Sequence, residues 1–427
     1  MRLQIKNFAA IRAADIQFDG ITVIAGENDA GKSTVGKLLF SLFHSLYDMS
    51  GKIQMNRWQA VANKVVQDID ESMILPLPPM SGDLLDPARL NRSDRLLQQL
   101  QRAQPKTERD CLIFVKENIK IFIGEQAAPP DELLEQIERD VHAIYQYTDA
   151  QIRNTILSSV FNDVFAKQAN SKRNKEPADL RLTLKGKSIH IVLQDEACQD
   201  ISGETAILHS ATYIDDPFVV DHLLGLHLFT WKNLMSEDLK EKMRLPKKMD
   251  LLSKQMRKDQ TEQIIQTLRR VMDGELRETN DGPVYHQSGL LEDLSLRNLS
   301  TGLKAFAIIK RLLEYYNLNE QDVLILDEPE IHLHPEWQLI YAELIVLLQK
   351  AFHLTVLLTT HSPYFLEAIE VFSAKHGLEK ETKYYLAHKQ GGYAVFDDVT
   401  DDTARIYHRL AEPFDKLDAI KQGKGWC

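Results

Sequence analysis

Cysteine is scarce. Cys111, Cys198 and Cys427 are odd in number and far apart, with no CxxC pair. This argues against a disulfide framework or a zinc knuckle and points to a reducing compartment. Long apolar runs are missing too: none approaches the roughly 20 residues that span a bilayer. The start, M-R-L-Q-I-K-N-F, lacks the apolar stretch of a signal peptide. A soluble cytoplasmic chain without membrane contact is the expectation. Positive charge is in deficit: 51 Lys and Arg against 62 Asp and Glu leave a net charge of −11. That balance gives no whole-chain case for nucleic-acid binding, although a local basic groove is compatible with it. There are no internal repeats, and no sustained heptads to support a long coiled coil. What is present is ordinary for a globular protein, with 44% hydrophobic residues in 427. The length suits one large domain or two to three ordinary ones.

The first 25 residues read as strands. Leu3, Ile5 and Phe8 are followed by Ile16–Phe18 and then by I-T-V-I-A, a short β-branched run of the kind buried in a sheet. Beyond it come G-E-N-D-A-G-K-S-T and a helical stretch. Residues 44–177 change character, being rich in Gln, Lys, Asp, Glu and Leu. In L-L-E-Q-I-E-R-D-V-H-A-I-Y, Leu133, Leu134, Ile137, Val141, Ile144 and Tyr145 share one helical face. Pro76, Pro78 and Pro79 mark a break, as do Pro129 and Pro130. N-S-K-R-N-K-E-P-A reads as an exposed linker. A hairpin is expected around Lys185–Gly186, then a strand A-T-Y-I. Residues 219–280 read as helices, with K-E-K-M-R-L-P-K-K-M-D a solvated face. Strands D-V-L-I-L-D and L-T-V-L-L-T-T-H flank a helix. K-Y-Y-L-A-H-K-Q-G-G-Y-A-V-F-D-D-V reads as a hairpin before a short last helix.

Chemistry concentrates in four places. Gly26 to Ser33 fits G-x-x-x-x-G-K-[ST] between a buried strand and a helix. Backbone N–H groups of such a loop face phosphate oxygens, and the helix N-terminus adds its positive dipole end. Gly26, Glu27, Asn28, Asp29, Ala30, Gly31, Lys32, Ser33 and Thr34 form the expected cradle. Lys32 is expected to reach the β- and γ-phosphates, and Ser33 to hold Mg²⁺. A second carboxylate is needed at the end of a buried strand, and Val323–Asp327 supplies it. Asp327 is the expected metal partner, and Glu328 is placed to polarise an attacking water. His332 and His334 would share a face if 331–334 were extended, but this Mg²⁺ needs neither. Asn298-Leu299-Ser300-Thr301-Gly302-Leu303-Lys304 precedes a long helix, about 25 residues before that strand. His361 follows another buried strand.

These four motifs, in this order, resemble the ABC-type ATPases of the OLD and RecF-like group. D-E-P-E-I-H-L-H-P is similar to that group's D-E-P-E-x-x-L-H-P, and the resemblance covers about 1–43 and 178–400. It implies an α/β fold: an ATPase head with a P-loop parallel sheet and an antiparallel β-subdomain. The head would be split into 1–43 and 178–427 by a helical insertion over 44–177. It implies ATP and Mg²⁺ as ligands and a head-to-tail homodimer or higher oligomer joined through ATP, in which Ser300 and Gly302 meet the γ-phosphate held by the partner's loop. It makes His361 the switch histidine, and it places Glu330, His332, His334 and Pro335 facing the dimer partner. Asp215 and Asp216 stand where the group often has a glutamine, so Asp215 is a further candidate metal ligand. Ala9 and Ala10 stand where break-repair members carry an Arg-Ser pair, and their side chains offer the nucleotide no polar contact.

OLD-type enzymes carry a C-terminal Toprim nuclease, for which the residues after His361 leave no room, and no HNH-like cluster is seen. The output would come from a partner, from bound DNA or from the ATPase itself, and the resemblance favours a partner. One reading is an ATP-driven sensor and scaffold that restrains and releases a separately encoded nuclease or toxin in anti-phage defence. The other is a DNA-clamping ATPase, with Lys247, Lys248, Arg257 and Lys258 as groove candidates. A transporter subunit is opposed by D-E-P-E-I-H-L-H-P and by the large insertion.

Overall fold

The computed structural model describes residues 1–72, 87–123, 128–203, 207–223, 233–279 and 282–421. Pro76, Pro78, Pro79 and Cys427 lie outside them. Contacts divide the chain into two compact units, Met1–Tyr47 with Leu157–Cys427, and Asp48–Ile156.

The first unit opens with β1 (Arg2–Phe8), β2 (Ile11–Gln17), β3 (Ile21–Gly26) and α1 (Lys32–Leu46). The second holds α2 (Met49–Ser72), α3 (Pro87–Ala103), α4 (Glu108–Asn118), α5 (Lys120–Ile123), α6 (Asp131–Gln146) and the start of α7 (Asp149–Phe165). The first resumes with β4 (Ala178–Leu184), β5 (Lys187–Gln194), β6 (Ala197–Gly203) and β7 (Ala211–Ile214). Next come α8 (Leu234–Arg244), α9 (Leu251–Arg269), β8 (Glu275–Thr279), β9 (Gly282–His286), β10 (Leu294–Ser295) and α10 (Thr301–Glu314). It closes with β11 (Val323–Asp327), α11 (Pro335–Phe352), β12 (Thr355–Thr360), α12 (Pro363–His376), β13 (Thr382–Gln390), β14 (Tyr393–Asp398) and α13 (Ala404–Lys421).

Eleven strands form one mixed sheet in the order β6-β5-β4-β1-β2-β14-β13-β3-β12-β11-β7. β13, β3, β12, β11 and β7 pair parallel in succession, and β14 pairs parallel with β2; β6, β5, β4, β1 and β2 pair antiparallel in succession, as do β13 and β14. The α/β fold with a parallel sheet and an antiparallel wing is thus present. Patterning explains the split. I-T-V-I-A-G in β3 and V-L-I-L in β11 are buried at every residue, as a strand covered on both faces must be. β4 and β5 alternate instead, with Leu180, Leu182, Ile189, Ile191 and Leu193 turned inward. In β3, β12 and β11 the chain runs the same way, so their carboxyl ends lie side by side. That edge is where open α/β sheets collect ligands.

The second unit has its own core of Trp58, Val61, Val65, Ile69, Leu96, Leu100, Cys111 and Val115 with Leu133, Ile137 and Val141. The α6 stripe expected from spacing is this seam, with Leu134, Ile144 and Tyr145 packed at its margin. A capping box between Thr107 and Asp110 starts α4. Residues 157–177, expected within the insertion, pack with the first unit: Phe161 and Phe165 stand edge-on to Phe8.

Several local expectations are corrected. The segment 170–178 is not simply an exposed linker, because Asn170 bonds the Leu193 carbonyl at 2.9 Å and Ser171 and Ala178 are buried. β8, inside the stretch read as helical, joins β9 and β10 in a small separate sheet. The 240–250 patch is a solvated face only in part, with Glu241, Lys247, Lys248 and Asp250 exposed. Lys240 and Met243 are buried, Lys242 Nζ bonds the Ala211 carbonyl at 2.5 Å, and Arg244 Nε bonds the Leu223 carbonyl at 2.5 Å. The last helix, α13, is 18 residues long rather than short. No helix among the described residues is long and apolar enough to cross a membrane.

Candidate nucleotide site

β3 ends at Gly26, whose place only glycine can take: a Cβ there would lie 2.0 Å from the Ala387 carbonyl oxygen. The loop from Glu27 to Gly31 then turns into α1. Gly31 has φ 82° and no side chain caps the helix, whose first turn carries no acidic residue. The first N–H groups of α1 are therefore uncapped by side chains, an arrangement that favours an anion. Lys32 is buried, with Nζ 2.9 Å from the Gly26 carbonyl and 2.8 Å from that of Glu27. Its ammonium also lies 3.2 Å from Glu328 Oε1. Asn28 and Asp29 are exposed, Ala30 is buried and Thr34 is half-buried.

Strand register carries Asp327 to the same edge. β11 pairs with β12 so that Asp327 lies opposite Thr359, and β12 pairs with β3 so that Thr360 lies opposite Ala25. Ser33 Oγ donates to Asp327 Oδ1 at 3.0 Å, joining residues 294 apart in sequence. Thr359 Oγ1 donates to the same oxygen at 2.5 Å, and the Tyr213 hydroxyl donates to Oδ2 at 2.7 Å. Burial, with the Asp327 charge beside it, pushes the Tyr213 phenol well above its usual range. Asp215, one residue past β7, is pushed up by burial first and then by Asp327.

Glu328 has φ 50°, an unusual conformation for a residue with a side chain, held by its N–H at 3.0 Å from Thr359 Oγ1. His361 Nδ1 is 3.5 Å from Glu328 Oε2 and 3.7 Å from Glu330 Oε1. Glu330 does not face outward as expected. It is buried, and its Oε1 accepts from Thr360 Oγ1 at 2.6 Å and from the His361 N–H at 3.1 Å. Burial raises its pKa.

Lys32, Ser33, Asp327, Glu328 and His361 thus meet at the ends of three adjacent parallel strands. Ser300 and Gly302 do not join them. Ser300 caps α10, accepting from the Leu303 N–H at 3.4 Å. With Thr301, His332, His334 and Trp337 they line a separate recess of about 430 Å³. His332 packs edge-on against Phe218, and His334 caps α11. No cluster of three or more His, Cys, Asp or Glu suited to a metal occurs among the described residues. Of the basic groove candidates, Lys247, Lys248 and Lys258 are at the surface. Arg257 is turned inward, bonded to the Leu318 carbonyl with its guanidinium 4.5 Å from the Phe352 ring centroid.

Tyr213, Thr359 and Thr360 were missed from sequence. Their signal was a polar atom inside an apolar strand: A-T-Y-I and L-L-T-T both sit where every residue is buried. A buried hydroxyl needs a partner, and here the partners are the site carboxylates.

Residues 1–366 match the AAA ATPase domain family. No curated protein matches the chain. Solved structures similar to it include the SMC head domain from Thermotoga maritima, at 12% identity and TM-score 0.38, covering 93% of this chain and 98% of that one. The SmcHead bound to the C-winged helix domain of ScpA is 11% identical at TM-score 0.42, covering 94% and 98%. A Smc head domain with an extended coiled coil, bound to the C-terminal domain of ScpA derived from Pyrococcus furiosus, is 10% identical at TM-score 0.35, covering 96% and 98%.

Proposed function

The chain belongs to the AAA ATPase domain family, and we propose that it binds ATP with Mg²⁺ and hydrolyses it to ADP and phosphate. One observation carries this reading: the Lys32 ammonium, the Ser33–Asp327 pair and the Glu328 carboxylate converge at one sheet edge. The residues fit the ligands. Uncapped N–H groups of α1 and Lys32 suit phosphate oxygens, and a carboxylate oriented by three hydroxyls suits a hard cation. Ser33 and Asp327 are the side chains that would hold Mg²⁺, with Asp215 a further candidate. Bound there, the ion would neutralise charge building on the phosphates. Glu328 would release Lys32 and accept a proton from the attacking water, and His361 would donate to the γ-phosphate.

Ser300 and Gly302 line a recess apart from the Lys32 loop. That separation supports a site completed by a second copy, whose Ser300 would bind the γ-phosphate in trans. ATP then joins two protomers and hydrolysis parts them. The biological reading is a sensor and scaffold that passes this change to a separately encoded effector, a nuclease or toxin, in anti-phage defence. The unit Asp48–Ile156 supplies a surface for that partner or for dimerisation. The DNA-clamp reading has less support, since Arg257 is spent internally.

The test is phosphate release and equilibrium binding of MgATP by the purified chain and by Lys32→Ala. Binding and turnover in the wild type, both lost in Lys32→Ala, are expected; equal activity in the two would sink the reading. A pull-down with Glu328→Gln and MgATP then addresses the partner. A stoichiometric protein effector supports the scaffold reading, and nuclease-sensitive DNA without a protein overturns it.

A further inference from the structure

The loop that cradles phosphate carries two carboxylates of its own. Glu27 and Asp29 occupy two of the four positions between Gly26 and Gly31, and the following Lys32 is the segment's one cation. A polyphosphate approaching it would meet like charge.

Two cations from the end of the chain answer those carboxylates. Lys389, in β13, pairs with Asp29. Arg409, in α13, lies with Nη2 2.9 Å from Glu27 Oε1, and its Nη1 is 2.5 Å from Glu412. Both lie beyond residues 1–366, which match the AAA ATPase domain family. The geometry is anchored. β13 pairs with β3 in register, Ala387 opposite Gly26, which brings Lys389 to the loop. α13 is held by buried Ile406 in the core and by the Tyr407 hydroxyl, 2.7 Å from Glu370 Oε2 on α12. α12 in turn starts just after His361. Asp29 sits at φ 62°, a backbone shape that a held side chain helps to maintain. The Lys389 partner keeps the Asp29 carboxyl below its ordinary range.

We propose that Arg409 and Lys389 are positioning residues of the nucleotide site, neutralising Glu27 and Asp29 and so setting the loop's affinity for the triphosphate of ATP. This rests on the ATP-binding reading above. α13 thereby ties the phosphate loop to the helix that follows His361, and the tail hairpin and helix become working parts of the ATPase.

The experiment is a calorimetric titration of the full chain with MgATP, for wild type, Arg409→Ala, Lys389→Ala, Arg409→Lys and Arg409→Ala combined with Glu27→Gln. Each alanine variant should lose affinity by about fivefold, the scale of one partly screened charge. Higher salt should shrink that difference. Arg409→Lys should bind nearly as the wild type. Removing the Glu27 charge should restore most of what Arg409→Ala loses, which a merely structural role would not do. Thermal melts identify any variant that fails to fold, and Lys389→Ala carries the test if Arg409→Ala does. Unchanged or tighter binding in both alanine variants overturns the proposal, as does failure of Glu27→Gln to rescue. A wild type that does not bind MgATP sinks the ATP reading and this proposal together; a wild type that binds while the variants match it sinks this proposal alone.

Discussion

The Tyr213 hydroxyl donates to Asp327 Oδ2 at 2.7 Å, joining the ends of β7 and β11 across 114 residues of sequence. Ser33 and Thr359 occupy the other oxygen. The carboxylate is thus oriented by three hydroxyls from three separate elements. Tyr213→Phe removes one donor without changing the packing of the ring, which is fully buried beside Phe40. Asp327 is half-buried, and losing one hydrogen bond to it costs about 1 kcal/mol. Urea unfolding should show that loss, and the Mg²⁺ concentration for half-maximal hydrolysis should rise. A variant with wild-type stability and metal dependence would remove Tyr213 from the site.

Glu328 spans Lys32 on one side and His361 on the other. Glu328→Gln keeps the shape and removes the proposed base. Hydrolysis should fall by about 10²–10⁴-fold, the usual worth of a positioned general base. MgATP should still bind, and tightly enough to be retained on a desalting column. Turnover within a few-fold of wild type would assign the base elsewhere.

Gly302 leaves no space for a side chain on the recess side of α10. A Cβ there would lie 2.9 Å from two carbons of the Trp337 indole and 3.3 Å from the His332 carbonyl oxygen. In Gly302→Ala the indole must move. A displacement near 1 Å in a catalytic constellation can cost on the order of 10²-fold in rate. MgATP binding at the distant Lys32 loop should be little changed while steady-state hydrolysis drops. Full hydrolysis in this variant would show that the recess takes no part in turnover.

Asp68, on α2, is buried in the core of the second unit with Lys64 Nζ at 3.3 Å, and Asp140 shares that lysine at 3.5 Å. Burial outweighs the lysine and pushes the Asp68 carboxyl up to about 6. The folded state therefore holds this proton more tightly than the unfolded chain, whose value is 3.8. The stabilising contribution is complete below the unfolded value and is lost as pH rises through about 6. Asp68→Asn has no such group. The stability of wild type relative to Asp68→Asn should decline between pH 4.5 and 7 and then level off, measured by urea unfolding across that range. A flat difference would show that Asp68 titrates normally.

Sequence reading worked wherever local pattern and chemistry coincide. The glycines and lysine of the phosphate loop need one backbone shape, and that shape is set within nine residues. Val323–Asp327 needed only a buried run ended by an acid. The α6 stripe needed only helical spacing. Readings failed where a residue's role depends on a neighbour far along the chain. Glu330 looks like an outward-facing loop residue until β12 places Thr360 beneath it. The 240–250 patch is largely exposed as expected, but α8 packs against β7 and turns Lys242 toward the Ala211 carbonyl. The small sheet of β8, β9 and β10 escaped notice because E-L-R-E-T carries little alternation and owes its pairing to P-V-Y-H.

The sequence by itself determined the local pieces of the candidate site: a glycine-rich loop between a buried strand and a helix, a lysine at the helix start, and an acid pair ending a buried strand. These are properties of short segments, where backbone sterics and residue type leave few choices. The tertiary structure alone decided the partners. β13 lies beside β3 although 356 residues separate Thr382 from Gly26, and only that pairing brings Lys389 to Asp29. Tyr213, Thr359, Arg409 and the inward Glu330 are assigned in the same way, by strand order and helix packing. Hydrogen bonds and ion pairs act over about 3 Å, and which groups come that close is settled by burial of the whole core.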